Sequence, residues 1–256
     1  MLFWNDTAHV MLFSLIAMRM TGFVFMNPIL GRKNIPNNVK LGMTFVFTLL
    51  VYASAEGTVQ ETSSSFIYGF LLLKEFLVGY VLGYVMSLFF FVITHAGSLM
   101  DFQIGLSMAM VYDPGTNAQI ALSGTLYQIF YTLLFFAVDG HLVLMKILLT
   151  SGSLVPYGEA AFTQGLSLAI LDLFKECMVL AVQFSFPIIA VEFLVQIAVG
   201  IMMKMAPQVN VFVINIQIKL AIGFFMLMVM VSPMKAWLED LMHQMLQIMG
   251  DFLTLL

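Results

Sequence analysis

The chain has 256 residues, 61% of them apolar and only 9% charged, with 10 basic against 14 acidic side chains and a formal net charge of −4. A soluble domain carries roughly a quarter of its residues as charges, so this composition excludes a monomeric soluble enzyme and points to a membrane protein. The lack of any basic stretch excludes nucleic acid as a partner. A lone cysteine, Cys177 in an apolar run, excludes a disulfide scaffold and reads as a small buried hydrophobe.

In chain order, the amino terminus lacks the basic region of a signal peptide and is expected to be retained. Apolar segments suited to helices follow near residues 8–26, 39–55, 66–93, 116–138, 166–200 and 211–233. Two charge-free runs, 76–100 and 114–138, have 25 residues each, more than the roughly 20 that cross a hydrocarbon core as a helix. The others are shorter or interrupted, and about six crossings is the simplest count. The expected fold is all-α, a single membrane-type domain over 1–256.

Polar breaks at 31–38 (GRKNIPNN), 54–65 (SAEGTVQETSSS), 113–115 (DPG) and 151–159 (SGSLVPYGE) support that partition. In the third, Pro114 presets φ for the second position of a turn and Gly115 accepts the positive φ that a type II turn needs next. From Lys235 on, Trp237, Leu241, Met245, Ile248, Phe252 and Leu256 recur at helical spacing, mainly opposite Glu239, Asp240, His243, Gln247 and Asp251. Residues 235–256 are therefore expected to form an amphipathic helix on a membrane or partner surface.

Arg32, Lys33 and Lys40 in the first loop, against Glu56 and Glu61 in the second, place the first loop on the cytoplasmic side and both termini outside. The stretch 94–115 should then be a cytoplasmic loop, yet it holds Asp101 and Asp113 and no base. Arg19, Lys74, Glu75, Asp172, Lys175, Glu176 and Glu192 interrupt apolar segments, and a charge at the bilayer centre costs about 2.5–3.5 kcal/mol on insertion scales. Much of the chain is thus expected to pack against protein rather than lipid. Lys74 has two readings, an ion pair with another chain's carboxylate or a solvated pair with Glu75.

No catalytic constellation assembles. His9, His95, His141 and His243 lie far apart and match no metal-ligand spacing, GLSMA at 105–109 lacks the last glycine of a nucleophile elbow, and no nucleotide-binding glycine pattern occurs. The expectation is no enzyme activity, no cofactor and no metal. Packing signals are stronger: Gly79 and Gly83 form a G-x-x-x-G, and Gly97, Asp101 and Gly105 share one helix face. A carboxylate between two glycines lies near backbone exposed enough to satisfy it. The 22 methionines include Met108, Met110, Met202, Met203 and Met205 at points where the chain turns, and their pliable thioethers suit either core filling or a seal around a passing polypeptide.

Several motifs in order carry a resemblance: AGSLMDFQIGLSMAMVYDPG at 96–115, RMTGFVFMNPILGRKNIPNNVK at 19–40, KEFLVGYVLGYV at 74–85, DGHLVLM at 139–145 and KMAPQVNVFVI at 204–214. Over about residues 19–233 the chain resembles the flagellar biosynthetic FliR family, whose virulence-system relatives are called SpaR or YscT. DGH together with DFQ-x-GLS favours the flagellar branch. The chain departs from the family at Lys204, where Arg is frequent, and at Asn215, Ile216 and Gln217, where a Gly-Phe-Pro-like step is usual.

The resemblance implies a subunit of a type III secretion export gate in the bacterial inner membrane at the flagellar basal body. Its sister subunits would be FliP and FliQ, with FlhB as a further neighbour, and unfolded flagellar proteins would pass through. The implied fold is kinked helical hairpins in a helical hetero-oligomer. The loop Gly105, Leu106, Ser107, Met108, Ala109, Met110, Val111, Tyr112, Asp113, Pro114, Gly115, Thr116 and Asn117 is implied to plug the closed channel. Arg19, Lys74, Glu75, Asp101, Gln103, Glu192, Lys204, Gln208 and Asn210 are expected to be buried or at subunit contacts, and Gly79, Gly83, Gly97 and Pro207 to serve helix packing. Two other classes stay open: an ion-coupled secondary transporter with Asp101 or Glu192 as its ion site, and a purely structural assembly nucleator.

Overall fold

Apolar runs this long satisfy their backbone most economically as helices, since every N–H and C=O then bonds within its own segment. The structure, a computed structural model, describes residues 7–55, 64–106, 111–113, 118–205 and 211–256, with the backbone alone for 111–113, 118–120 and 211–214. Its helices are α1 (Thr7–Met26), α2 (Asn37–Ser54), α3 (Ser65–Ile104), α4 (Leu122–Ala137), α5 (Gly140–Leu154), α6 (Gln164–Met205) and α7 (Val211–Leu255). Between α3 and α4 stand two short strands, β1 (Val111–Asp113) and β2 (Ala118–Ile120), antiparallel with Val111 opposite Ile120 and Asp113 opposite Ala118. The fold is helical and membrane-type, with this one small hairpin added.

Among the described residues four helical stretches are long and apolar enough to cross a membrane: Thr7–Met26, Ser65–Ile104, Gln164–Met205 and Asn215–Leu255. The bent pair α4 and α5 brings the number to at most five, against the six read from apolar runs. The difference has two sources. α2 is a helix where expected, but its first turn holds Asn37, Asn38 and Lys40. The run 114–138 is not one continuous helix: residues 118–120 are strand, and α4 gives way to α5 across a 70° bend. The break falls at Asp139, whose φ of 57° is left-handed, a conformation Asp tolerates better than most residues. α5 had no charge-free run to mark it because Lys146 interrupts it.

α3 runs for 40 residues and ends at Ile104, so 94–104 is helix rather than the start of a loop. The charge-rule conflict at Asp101 is thereby removed, because Asp101 is a buried helical residue. Pro187 stands inside α6 and Pro233 inside α7, each withholding one helical N–H. The tail 235–256 is the continuation of α7, not a separate surface helix. Leu241, Met242, Met245, Met249, Phe252 and Leu253 on its apolar side are buried in the chain itself, and the Leu256 carbonyl accepts the Ala161 N–H at 2.7 Å.

The chain divides into two compact units, the first made of Met1–Phe89, Phe135–Leu173 and Met242–Leu256, the second of Phe90–Leu134 and Phe174–Leu241. In the first, α1 packs on α2 and on the first half of α3. A Cβ at Gly79 would overlap the Arg19 carbonyl, one at Gly22 the Phe76 carbonyl, and one at Gly83 would stand 2.9 Å from Met26 Cβ. Bare backbone on both helices lets their axes close in, burying Leu15, Ile16, Met20 and Phe23 with Val78, Leu82 and Met86. In the second unit, α3 and α4 meet at Gly97 and Gly124, again without room for a side chain. Phe90 lies edge-on to Tyr131 at 5.0 Å, and Phe184 stacks on Trp237 at 4.3 Å.

Large apolar side chains such as Phe66, Phe102, Phe225 and Met228 are mostly exposed on the isolated chain. Patches of that kind are built to meet lipid or another protein, not water.

Candidate functional site

The strands β1 and β2 lie in the chain between α3 and α4, and a carboxylate at the end of α3 reaches the start of α4. Asp101, in the last turn of α3, is 1% exposed and accepts the Ser123 N–H at 3.1 Å on one oxygen and 3.3 Å on the other. Ser123 is in the first turn of α4, where N–H groups have no helical acceptor and the helix dipole favours a negative charge. Asp101 thus caps a neighbouring helix. One turn earlier, the Gly97–Gly124 contact brings the two backbones together. α3 then ends at Gly105, whose N–H bonds the Asp101 carbonyl at 3.1 Å and whose φ of 91° suits only glycine without strain. Gly105 therefore terminates the helix. It takes no part in close helix packing, because nothing lies within 4 Å of a Cβ placed there.

The other polar centre belongs to the first unit. Arg19 of α1 and Glu75 of α3 are both fully buried and pair at 2.6 Å. The two terminal guanidinium nitrogens, Nη1 and Nη2, donate to the Ser151 and Val155 carbonyls respectively, each at 3.0 Å, and the guanidinium lies 4.4 Å from the centroid of the Tyr157 ring. The second oxygen of Glu75 accepts the Gly158 N–H at 2.8 Å. Gly158 has φ 89°, so the connection between α5 and α6 can fold back onto the pair only with glycine there. Burial pushes the Tyr157 phenol above its usual range, opposed by the Arg19 charge, reinforced by Glu75 and opposed again by a hydrogen bond with Ser151. Sequence reading put Arg19 and Glu75 in the buried set but missed their pairing and missed Ser151, Val155, Tyr157 and Gly158 altogether. The signal was Gly79, whose bare backbone sits against the carbonyl of Arg19.

Glu75 is therefore not the partner of Lys74, which is half-buried. Glu192 on α6 is fully buried, and neither of its oxygens has a hydrogen-bond partner among the described residues. One turn on, Gln196 accepts from Lys219 of α7 at 3.5 Å. Gln103 is half-buried, whereas Lys204 is exposed in this chain, as are Asp172, Lys175 and Glu176. Leu106 is buried at the start of the loop. Val111, Tyr112 and Asp113 form β1. Ser107, Met108, Ala109, Met110, Pro114, Gly115, Thr116, Asn117, Pro207, Gln208 and Asn210, with the expected type II turn, lie outside the described residues. Among the described residues no group of three or more His, Cys, Asp or Glu could hold a metal ion.

Residues 10–245 match the family described as bacterial export proteins, family 1. The chain is 30% identical over 249 residues to the flagellar biosynthetic protein FliR of Bacillus subtilis (strain 168), covering 95% of each. To the FliR of Escherichia coli (strain K12) it is 24% identical over 237 residues, 93% of this chain and 90% of that one. To the surface presentation of antigens protein SpaR of Shigella flexneri it is 23% identical over 229 residues, 88% of each. A match over nearly the whole length, together with buried charges inside long apolar helices, places this chain in the FliR/SpaR family of bacterial export proteins.

Proposed function

We propose that the chain is a component of a type III secretion export apparatus of the flagellar kind, embedded in the bacterial inner membrane, and that residues 105–117 close its conduit. The printed names of its relatives, flagellar biosynthetic protein and surface presentation of antigens protein, support the first part. The observation that supports the second is the β1–β2 hairpin in the chain between α3 and α4, with buried Asp101 at the end of α3 accepting the Ser123 N–H at the start of α4. In this reading Met108, Met110 and Tyr112 fill the lumen of the closed gate, and an unfolded substrate displaces them. FliP, FliQ and FlhB are the proposed neighbours, and the exposed apolar faces and Lys204 are surfaces for them or for lipid. The chain acts by shape and needs no cofactor.

Deleting residues 108–115 tests this directly. The complex is expected to assemble, recovered with its neighbours after gentle extraction, and to leak ions across the membrane. An assembled complex that stays tight would sink the closing role. Recovery of the chain alone and monodisperse would sink the export-apparatus reading. Glu192 supports one competing class, since an unpartnered buried carboxylate is what an ion-coupled transporter would use. That class requires ion-dependent transport by the single purified chain.

A further inference from the structure

We infer that the outward face of α2 and the loop before it bind an anionic phospholipid: Arg32 and Lys33 meet the headgroup, and Leu41, Phe45, Val46 and Leu49 meet the acyl chains. This rests on reading the chain as embedded in the membrane. Residues 7–55 contain Arg19, Arg32, Lys33 and Lys40 and no Asp or Glu. Arg19 is neutralised by Glu75, so the uncompensated positive charge of this segment gathers at one end of α2. A fixed loop carries it. The Gly31 N–H bonds the Asn27 carbonyl at 2.7 Å, and the Asn27 side-chain oxygen accepts the Ile29 and Leu30 N–H groups at 2.8 and 2.9 Å. Lys40 Nζ of α2 reaches back to the Gly31 carbonyl at 3.0 Å, which holds the loop beside the first turn of the helix. Arg32 and Lys33 are thereby presented to the outside, and both are exposed.

Beyond these bases the helix face is apolar without a break. Leu41, Phe45, Val46, Leu49 and Leu50 are exposed, while Thr44 and Thr48 are buried on the opposite side, each hydroxyl donating to a carbonyl of its own helix. From Leu41 to Leu50 the stripe rises about 14 Å at ~1.5 Å per residue. One leaflet contributes about half of a ~30 Å hydrocarbon core, so the stripe matches its depth. Basic side chains at the end of such a stripe are complementary to a lipid phosphate. A protein partner is the poorer occupant. Protein interfaces carry about one hydrogen bond per 100–200 Å², and no exposed side chain from Leu41 to Ala53 can make one. The exposed side of α6 differs, because Asp172, Lys175 and Glu176 stand among its apolar residues, where hydrocarbon would not take them.

The test uses the full chain in its complex, gently extracted and reconstituted into phosphatidylcholine vesicles with a minority of phosphatidylglycerol. In a Cys177→Ala background, Phe45→Cys or Leu49→Cys carries an environment-sensitive fluorophore. Lipids brominated in their acyl chains are expected to quench most of its fluorescence, and aqueous iodide little of it. With bromine on phosphatidylglycerol alone, quenching should exceed that from the same fraction of brominated phosphatidylcholine, corresponding to about fivefold enrichment or more at the site. Arg32→Gln with Lys33→Gln should bring the two lipids level, and high salt should narrow the gap. Arg32→Lys with Lys33→Arg should keep it. Labels that neither lipid quenches, in a complex that floats with the vesicles, mean that protein covers the face, which overturns the inference. Equal quenching by the two lipids with the loop unaltered also overturns it, because the bases then select no headgroup. Where the glutamine variant fails to assemble, the two-lipid comparison on the unaltered loop and its salt dependence decide by themselves. A complex that does not float with the vesicles removes the membrane reading and the inference with it, so flotation tells the two failures apart.

Discussion

Arg19 and Glu75, 56 positions apart in sequence, meet at 2.6 Å with neither side chain exposed, and every further partner of the pair comes from the segment around Ser151 to Gly158. Three stretches of chain are thus tied at one point: α1, α3 and the α5–α6 connection. Removing one member leaves the other charge buried and uncompensated, which costs about 3–5 kcal/mol. Arg19→Ala and Glu75→Ala should each lower the thermal unfolding midpoint of the detergent-extracted protein sharply. Arg19→Met combined with Glu75→Leu should recover part of the loss, because no charge then remains unpaired. Recovery should be incomplete, since the Ser151 and Val155 carbonyls still lose their donors. Single variants as stable as the parent would show that the pair is not formed.

Two glycines in long helices should respond in opposite directions to the same substitution. At Gly79 a methyl group would overlap the backbone carbonyl of Arg19, which cannot swing aside as a side chain can. Gly79→Ala should therefore cost about 1–3 kcal/mol or more through overpacking and forced helix separation. At Gly200 nothing lies within 4 Å, and alanine should stabilise α6 by about 0.5–1 kcal/mol through lower backbone entropy in the unfolded chain. Thermal unfolding of both variants checks the contrast. Equal effects would mean that the helix contact at Gly79 is looser than described.

Glu192 gives a stability prediction of opposite sign to that of Glu75, although both are fully buried glutamates. Glu75 has both oxygens occupied, Glu192 neither among the described residues. Replacing an unsatisfied buried polar group by an apolar one of similar shape removes a penalty of about 1–3 kcal/mol. Glu192→Leu should raise the unfolding midpoint of the isolated chain, and Glu192→Gln should leave it nearly unchanged. A large drop for Glu192→Leu would reveal a partner for the carboxylate.

Glu75 and Glu192 also mark how far the sequence alone reaches. Helical class and the close approach at Gly79 were legible, because composition and glycine spacing are local properties; of the interrupting charges Arg19, Glu75 and Glu192 are buried, whereas Asp172, Lys175 and Glu176 are exposed. The partner of Glu75 was not: adjacency suggested Lys74, whereas the fold selects Arg19 by bringing Gly22 and Gly79 into contact. α5 was illegible because Lys146 breaks the uncharged run that would have marked it. The tail misled for a related reason. An apolar stripe opposite a charged face shows that something covers the stripe, not whether lipid or the chain itself does so, and here Met242, Met245 and Met249 are covered from within. At Asp101 the two-glycine context correctly suggested exposed backbone nearby. The donor, the Ser123 N–H, comes from a helix 22 residues away and could not be read from the motif.

Tyr157 provides a pH test of the buried pair, because its ring stacks on Arg19 and its phenol lies outside the long apolar helices. Burial raises its pKa above the usual value of 10.0. A phenol that is harder to ionise in the folded state than in the unfolded one stabilises nothing extra below pH 10, where both states keep the proton. Above that pH the unfolded chain ionises first and gains, so stability falls as pH rises from the ordinary phenol value towards the folded one. The parent should therefore lose stability more steeply above pH 10 than Tyr157→Phe, which has no proton to lose, while the two show a constant difference below pH 9. The phenolate absorbance that Tyr157→Phe removes from the parent's curve should at the same time develop above the usual phenol range. Identical slopes for parent and variant across the alkaline range would place Tyr157 in water and detach it from the Arg19–Glu75 centre.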